Sequence, residues 1–225
     1  MRAHKSSRIY LVRHGHSTAN AKSILAGRDA KVSLSQIGIL QADAVAKYFE
    51  SIELEEIFSS PLPRCLETLK PLLTSKRNSK LVKLPGVIEM DYGKWSGKKL
   101  VNLSKLALWK TIQNRPSLVR FPNGESFLEM SDRAFTSVRE SAIPGKNVLI
   151  CSHGDVIKSI IASALGLNLD NFQRLSVDPA SVSIIELSGD SSRLILANDT
   201  SHLPHVRQNL GSKKLRLGGG SGEGR

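Results

Sequence analysis
The sequence predicts an α/β fold, and two observations carry that prediction. Short apolar runs alternate with longer stretches whose apolar residues recur at helical spacing. Two of those runs end alike, in His14-Gly15 and in His153-Gly154. Open α/β sheets place their chemistry at the carboxyl ends of strands, so two strands with matching ends can bring two imidazoles to one sheet edge.

The elements follow in order. Residues 8–13 read as a buried strand built on Ile9, Tyr10, Leu11 and Val12. Gly15 permits a tight turn, and Ser17, Thr18 and Asn20 offer hydrogen-bonding groups. The loop to about residue 34 is long for a compact domain and is expected to form a pocket wall. Arg28 within it reads as an exposed arginine or a substrate contact. Ser35 is a good N-cap, and Ile37, Leu40, Ala44, Val45, Tyr48 and Phe49 mark an amphipathic helix over 35–51. Residues 56–59 read as a second strand. Pro61 stands where a helix begins, with Leu62, Leu66, Leu69 and Leu73 toward the core and Arg64 in its first turn.

Residues 81–84 read as a third strand, punctuated by Pro85-Gly86, and Glu89 arrives in a loop. A helical pattern over 100–114 ends at Arg115-Pro116. Another runs over 125–143 with Phe127, Met130, Ala134, Phe135 and Val138 inward. Residues 147–151 form an apolar run, hence a buried strand, and a helix follows over 156–165. Residues 182–187 and 193–197 form a closing hairpin around Ser188-Gly189-Asp190. The expected organisation is a flexible N-terminus over 1–7, one domain over 8–205 and a disordered Gly/Lys-rich tail over 206–225.

Composition narrows the functional classes. With 225 residues and 40% hydrophobic content, the chain can build one sizeable core. No apolar stretch approaches the ~18 residues of a membrane span. No apolar segment of the secretory type follows the basic start, so a cytoplasmic, soluble protein is expected. The net charge is +12, but the excess is dispersed and only 5% of residues are aromatic. That argues against a base-stacking nucleic-acid surface, leaving a solvated basic surface that draws anionic substrates. Cys65 and Cys151 read as small buried residues rather than disulfide partners, with oxidative sensitivity the lesser reading. Pro204 between His202 and His205, and the lack of a cysteine or carboxylate cluster beside them, argue against a metal pair.

The string Leu11-Val12-Arg13-His14-Gly15-His16-Ser17-Thr18-Ala19-Asn20 resembles the signature of the histidine phosphatase superfamily, the phosphoglycerate mutase-like proteins. Four more segments are similar to that family's, in order: Ser60-Pro61-Leu62-Pro63-Arg64, Glu89-Met90-Asp91-Tyr92-Gly93-Lys94-Trp95-Ser96-Gly97, Pro122-Asn123-Gly124-Glu125-Ser126, and Ser152-His153-Gly154. His16 stands where the family often carries Glu or Gln. The resemblance spans roughly residues 8–203. It implies a three-layer α/β/α sandwich with a mostly parallel central sheet.

A phosphomonoester needs a nucleophile, an anion clamp and a proton donor. The resemblance implies His14 as nucleophile, forming a phosphohistidine; nearby Arg13 and Arg64 would keep its ring neutral. Arg13, Arg64 and His153 would hold the phosphoryl oxygens, with Asn20, Ser17 and Gly154 completing the substrate-binding set. Charge-assisted bonds of roughly 1.5–3 kcal/mol each supply the electrostatics, so no metal or cofactor is expected. Glu89 is the general acid, with Asp91 the alternative carboxylate. The related mutases carry a long insertion between acid and second histidine, whereas Glu89 and His153 are 64 positions apart. That favours hydrolysis of small phosphorylated metabolites. A phosphoglycerate mutase dependent on 2,3-bisphosphoglycerate is the second reading, and a non-catalytic basic binding module the third. Tyr92, Trp95, Arg115, Arg120 and Phe121 stand as further wall candidates. The sequence leaves oligomeric state open.

Overall fold
Alternation along the first strand sets the layers. Tyr10 and Val12 point to one face and Ile9 and Leu11 to the other, and all four are buried. The computed structural model describes residues 5–76 and 79–203. Its strands are β1 (Ser7–Arg13), β2 (Glu56–Ser59), β3 (Leu81–Lys83), β4 (Asn147–Ser152), β5 (Val182–Ser188) and β6 (Ser191–Asp199). They lie in the order β3-β2-β4-β1-β5-β6. The first four are mutually parallel, and β5 runs antiparallel to both β1 and β6.

Helices α2 (Gln36–Tyr48) and α3 (Pro63–Ser75), which follow the short helix α1 (Thr18–Ala21), cover the Tyr10/Val12 face. Helices α6 (Phe127–Glu140) and α7 (Gly154–Ala164) cover the other, joined by the short α4 (Leu100–Leu103) and α5 (Ala107–Asn114). This is the expected three-layer sandwich with a mostly parallel sheet.

Several elements depart from the sequence reading. In α2, Ile37 and Leu40 are exposed, and the buried stripe is Gly38, Gln41, Ala42, Ala44 and Val45. The cause is close approach. A Cβ on Gly38 would stand 2.1 Å from the His16 carbonyl oxygen, so that face needs small residues. Helix α3 begins at Pro63, not Pro61, and its inner stripe is Arg64, Cys65, Thr68, Leu69 and Leu72, with Leu66 and Leu73 only half-buried. The 100–114 pattern splits into α4 and α5; the Ser104 hydroxyl donates back to the Val101 carbonyl, competing with helix continuation. Helix α6 starts two residues late because Ser126 and Glu129 form a reciprocal capping box. Ser7 opens β1 and is buried, whereas residues 1–4 and the tail assigned to 206–225 lie outside the described residues. Among the described residues no helix is long and apolar enough to cross a membrane.

Candidate active site
Strand register builds the centre of the site. Arg13 on β1 pairs with Ser152 on β4, so the next residues, His14 and His153, emerge side by side. Their ring centroids are 5.2 Å apart. Ser59 on β2 pairs with Cys151, which brings Ser60 alongside. Arg64 enters from the first turn of α3, and Glu89 from the loop after β3. Arg13, His14, Ser17, Asn20, Arg64 and Glu89 all line one cleft.

The hydrogen bonds fix tautomers. His14 Nδ1 lies 2.7 Å from the Gly15 carbonyl oxygen. A carbonyl only accepts, so Nδ1 carries the proton and Nε2 keeps its lone pair. Burial, then the Arg64 and Arg13 charges, holds the His14 pKa well below the usual histidine value. His153 Nδ1 accepts from Arg64 Nη2 at 3.2 Å, so its Nε2–H donates to Ser60 Oγ at 2.7 Å. Burial and the same positive neighbours depress the His153 pKa as well.

Arg64 is almost wholly buried. Its Nη2 donates to the Gly27 carbonyl, but Nε and Nη1 have no partner among the described residues. Unpaired buried donors are costly, and in a cleft they are ready-made anion ligands. Arg13 is fixed by Nη1 donating to the Val177 carbonyl at 2.7 Å. Glu89 Oε2 stands 3.7 Å from His153 Nδ1 and 3.9 Å from Arg64 Nη2. Burial outweighs that guanidinium: the Glu89 pKa is raised to about 7, with the Asp155 charge adding to the rise.

The Glu89 loop is clamped from behind. Arg28 Nε and Arg133 Nη2 both donate to the Glu89 carbonyl oxygen, at 2.9 and 3.2 Å. Glu125 ties the two arginines together and accepts from the Asp91 backbone N–H. Arg28 is thus a structural brace, neither free on the surface nor in the cleft lining.

The chain matches the histidine phosphatase superfamily (branch 1) over residues 9–200. It belongs to that family. Phosphoserine phosphatase 1 of Hydrogenobacter thermophilus is 28% identical over 200 residues, covering 87% of this chain and 94% of that protein. The probable phosphoglycerate mutase GpmB of Yersinia pestis is 28% identical over 204 residues, covering 87% and 94%. The solved structure of Bacillus stearothermophilus YhfR superposes with a TM-score of 0.81 at 26% identity, covering 88% of this chain and 99% of that one.

Within this histidine phosphatase the remaining candidates fall as follows. The Ser17 hydroxyl donates to Asn20 Oδ1 in a capping box for α1, so both residues shape the wall. Gly154 is the first residue of α7, buried and outside the cleft lining. Asp91 pairs with Arg28 and accepts from the Gly93 backbone N–H. Tyr92 lines the cleft, while Trp95 and Phe121 pack edge-on in the core. Arg120 pairs with Glu129 at the surface, and Arg115 is exposed. His202 faces the Ala180 carbonyl oxygen, and His205 lies outside the described residues. Sequence reasoning missed Ser60, Glu125, Arg133 and Asp155 as supports. Glu125 was on view inside its motif, but its two arginine partners are 97 and 8 positions away.

Proposed function
We propose that this chain hydrolyses small phosphate monoesters through a phosphohistidine on His14. The observation that carries the reading is the pairing of a neutral His14 with buried Arg64 donors that have no other partner. The phosphatase names of its relatives support it. His14 Nε2 attacks phosphorus as the ester P–O bond breaks. Arg13 and Arg64 take the non-bridging oxygens and the Asn20 amide assists from the wall; His153, neutral with Nδ1 accepting from Arg64, joins them as a donor once the bound dianion draws a proton onto that nitrogen. Two guanidinium groups supply the positive charge, so the reading asks for no metal ion or organic cofactor. Glu89, protonated up to about pH 7, gives its proton to the departing alkoxide. As a carboxylate it then takes a proton from the water that attacks phosphohistidine. A cytoplasmic setting belongs to this reading, supported by two buried free thiols.

The test is an alkaline quench of enzyme turning over a ³²P-labelled ester. Label on His14 that is acid-labile, and lost in His14→Ala, is the expected result; hydrolysis that survives His14→Ala would overturn the mechanism. A mutase reading has one support, the mutase-named relatives. Isomerisation of 3-phosphoglycerate outpacing phosphate release, with a trace of 2,3-bisphosphoglycerate present, would favour it.

A further inference from the structure
The cleft lining divides into unlike sets of residues. Arg13, His14, Arg64 and Glu89 carry the charge. Ala19, Ile24, Leu25, Ala26 and Leu100 supply an aliphatic wall, beside the uncharged Ser17, Asn20, Ser23, Gly27 and Tyr92. Among the described lining residues, the one other titratable group is the Tyr92 phenol. It is buried and donates to Asp155 Oδ2 at 2.8 Å, so it presents no charge. Arg28, next to this wall in sequence, is spent on the Glu89 carbonyl, Glu125 and Asp91. Lys22, Lys98 and Lys99 are exposed and are not lining residues.

The aliphatic wall is built, not incidental. The Leu25 N–H donates to the Lys98 carbonyl at 3.0 Å, the Gly97 N–H to the Leu25 carbonyl at 2.8 Å, and the Leu100 N–H to the Ser23 carbonyl at 2.9 Å. Ile24 and Lys99 pair across the same junction. Two segments far apart in sequence are thereby zipped into one surface of the same cleft.

We propose that the substrate is a phosphomonoester of a small uncharged alcohol, whose carbon skeleton packs on Ile24, Leu25 and Leu100. This rests on the phosphoryl group lying at His14. A carboxylate or ammonium on the alcohol would lose water there and gain no counter-charge. Each methylene covered by the wall is instead worth roughly fourfold. Such a site rejects a second charge more sharply than it ranks neutral skeletons by size.

The experiment compares kcat/KM for methyl, propyl and butyl phosphate with that for phosphoserine and 3-phosphoglycerate. The expected result is a rise along the alkyl series and at least a tenfold preference for butyl phosphate over either charged ester. Leu100→Lys should narrow or invert that preference by lowering KM for the charged esters more than for butyl phosphate. Leu100→Ala, the gentler change, should flatten the alkyl series. Phosphoserine or 3-phosphoglycerate turned over as well as butyl phosphate, or a flat alkyl series in the unaltered protein, overturns the proposal and leaves the phosphatase reading standing. Absence of turnover on every ester, with no label on His14, overturns both.

Discussion

Arg13 and Ser152 are register partners on adjacent parallel strands, and that one pairing is what sets the His14 and His153 rings 5.2 Å apart. The juxtaposition has an electrostatic consequence. Each imidazole lies in the field of Arg13 and Arg64, in a buried setting, and both are held neutral. A neutral ring is what a nucleophile needs. The opposite shift appears at Glu89, where burial keeps a proton on the carboxyl group. The proposed nucleophile and the proposed proton donor are thus pushed in opposite directions by one environment.

The pH profile follows from those directions. His14 stays unprotonated well below pH 6.5, so kcat should hold through the mildly acidic range. It should fall above the Glu89 pKa of about 7 as the general acid is lost. Asp155→Asn removes a negative charge that raises that pKa, so the alkaline limb should move to lower pH. Glu89→Gln should abolish the limb and cost on the order of 10²–10⁴ in kcat on alkyl esters. Rate profiles from pH 5 to 9 check all three, and a limb unmoved by Asp155→Asn would contradict the assignment.

The same carboxyl group costs stability. A carboxyl whose folded pKa lies above its unfolded value of about 4.5 favours folding fully below pH 4.5, and that contribution disappears as pH rises through about 7. The displacement corresponds to roughly 3 kcal/mol as an upper bound. Glu89→Gln should therefore unfold at a higher temperature than the unaltered chain at pH 8, and at a similar one at pH 4. Thermal melts at the two pH values decide it; equal differences at both would refute the linkage.

Glu125 holds the acid rather than touching the ester. It joins Arg28 and Arg133, whose side chains both grip the Glu89 carbonyl oxygen. Glu125→Gln should lower kcat on an alkyl phosphate by roughly tenfold or more, since a misplacement near 1 Å is enough for such losses. On p-nitrophenyl phosphate, whose leaving group needs no proton, the loss should be small. Equal losses on both esters would mean a general collapse of the site.

Cys65 and Cys151 are both fully buried, and Cys65 Sγ lies 3.6 Å from His153 Nε2. Burial, together with the Cys65 thiol, pushes the Cys151 thiol pKa up, so little reactive thiolate forms there. Native protein should leave both thiols untouched by an aromatic disulfide reagent for hours, and both should titrate after denaturation. Rapid labelling of the native fold would restore the oxidative-sensitivity reading.

The strands, and the residues that gather at their ends, were legible in the sequence, and for a physical reason. Buried parallel strands are short apolar runs, and here length and the flanking turn residues separate them from buried helix. The residues at their carboxyl ends, His14 and His153, are chemically conspicuous. The supports were not legible because they are made of ordinary residues brought together from afar: Ser60 under His153, Arg133 and Arg28 on one carbonyl, Asp155 under Tyr92. Helix α2 failed for a different reason. Periodicity weighs side-chain hydrophobicity, and Ile37 and Leu40 weigh most. What decides the buried face there is how near two backbones come.

That near contact yields a stability prediction. Gly38 sits where α2 meets the catalytic loop, and the neighbouring Gln41 Oε1 accepts from the His16 N–H at 2.7 Å. A methyl group at position 38 would meet the His16 carbonyl oxygen at 2.1 Å and the His16 backbone nitrogen at 3.2 Å. Both are main-chain atoms, so no rotamer change relieves the clash, and the helix or the loop must move. Overpacking of this kind costs about 1–3 kcal/mol. His16 is only two residues from His14, so a shift there also displaces the proposed nucleophile. Gly38→Ala should therefore lower the denaturation midpoint and kcat together, whereas Ile37→Ala on the exposed side should change neither by more than about 0.5 kcal/mol or twofold. If Gly38→Ala melts with the parent and turns over at the parental rate, the close approach of α2 to the catalytic loop is not a feature of the folded protein.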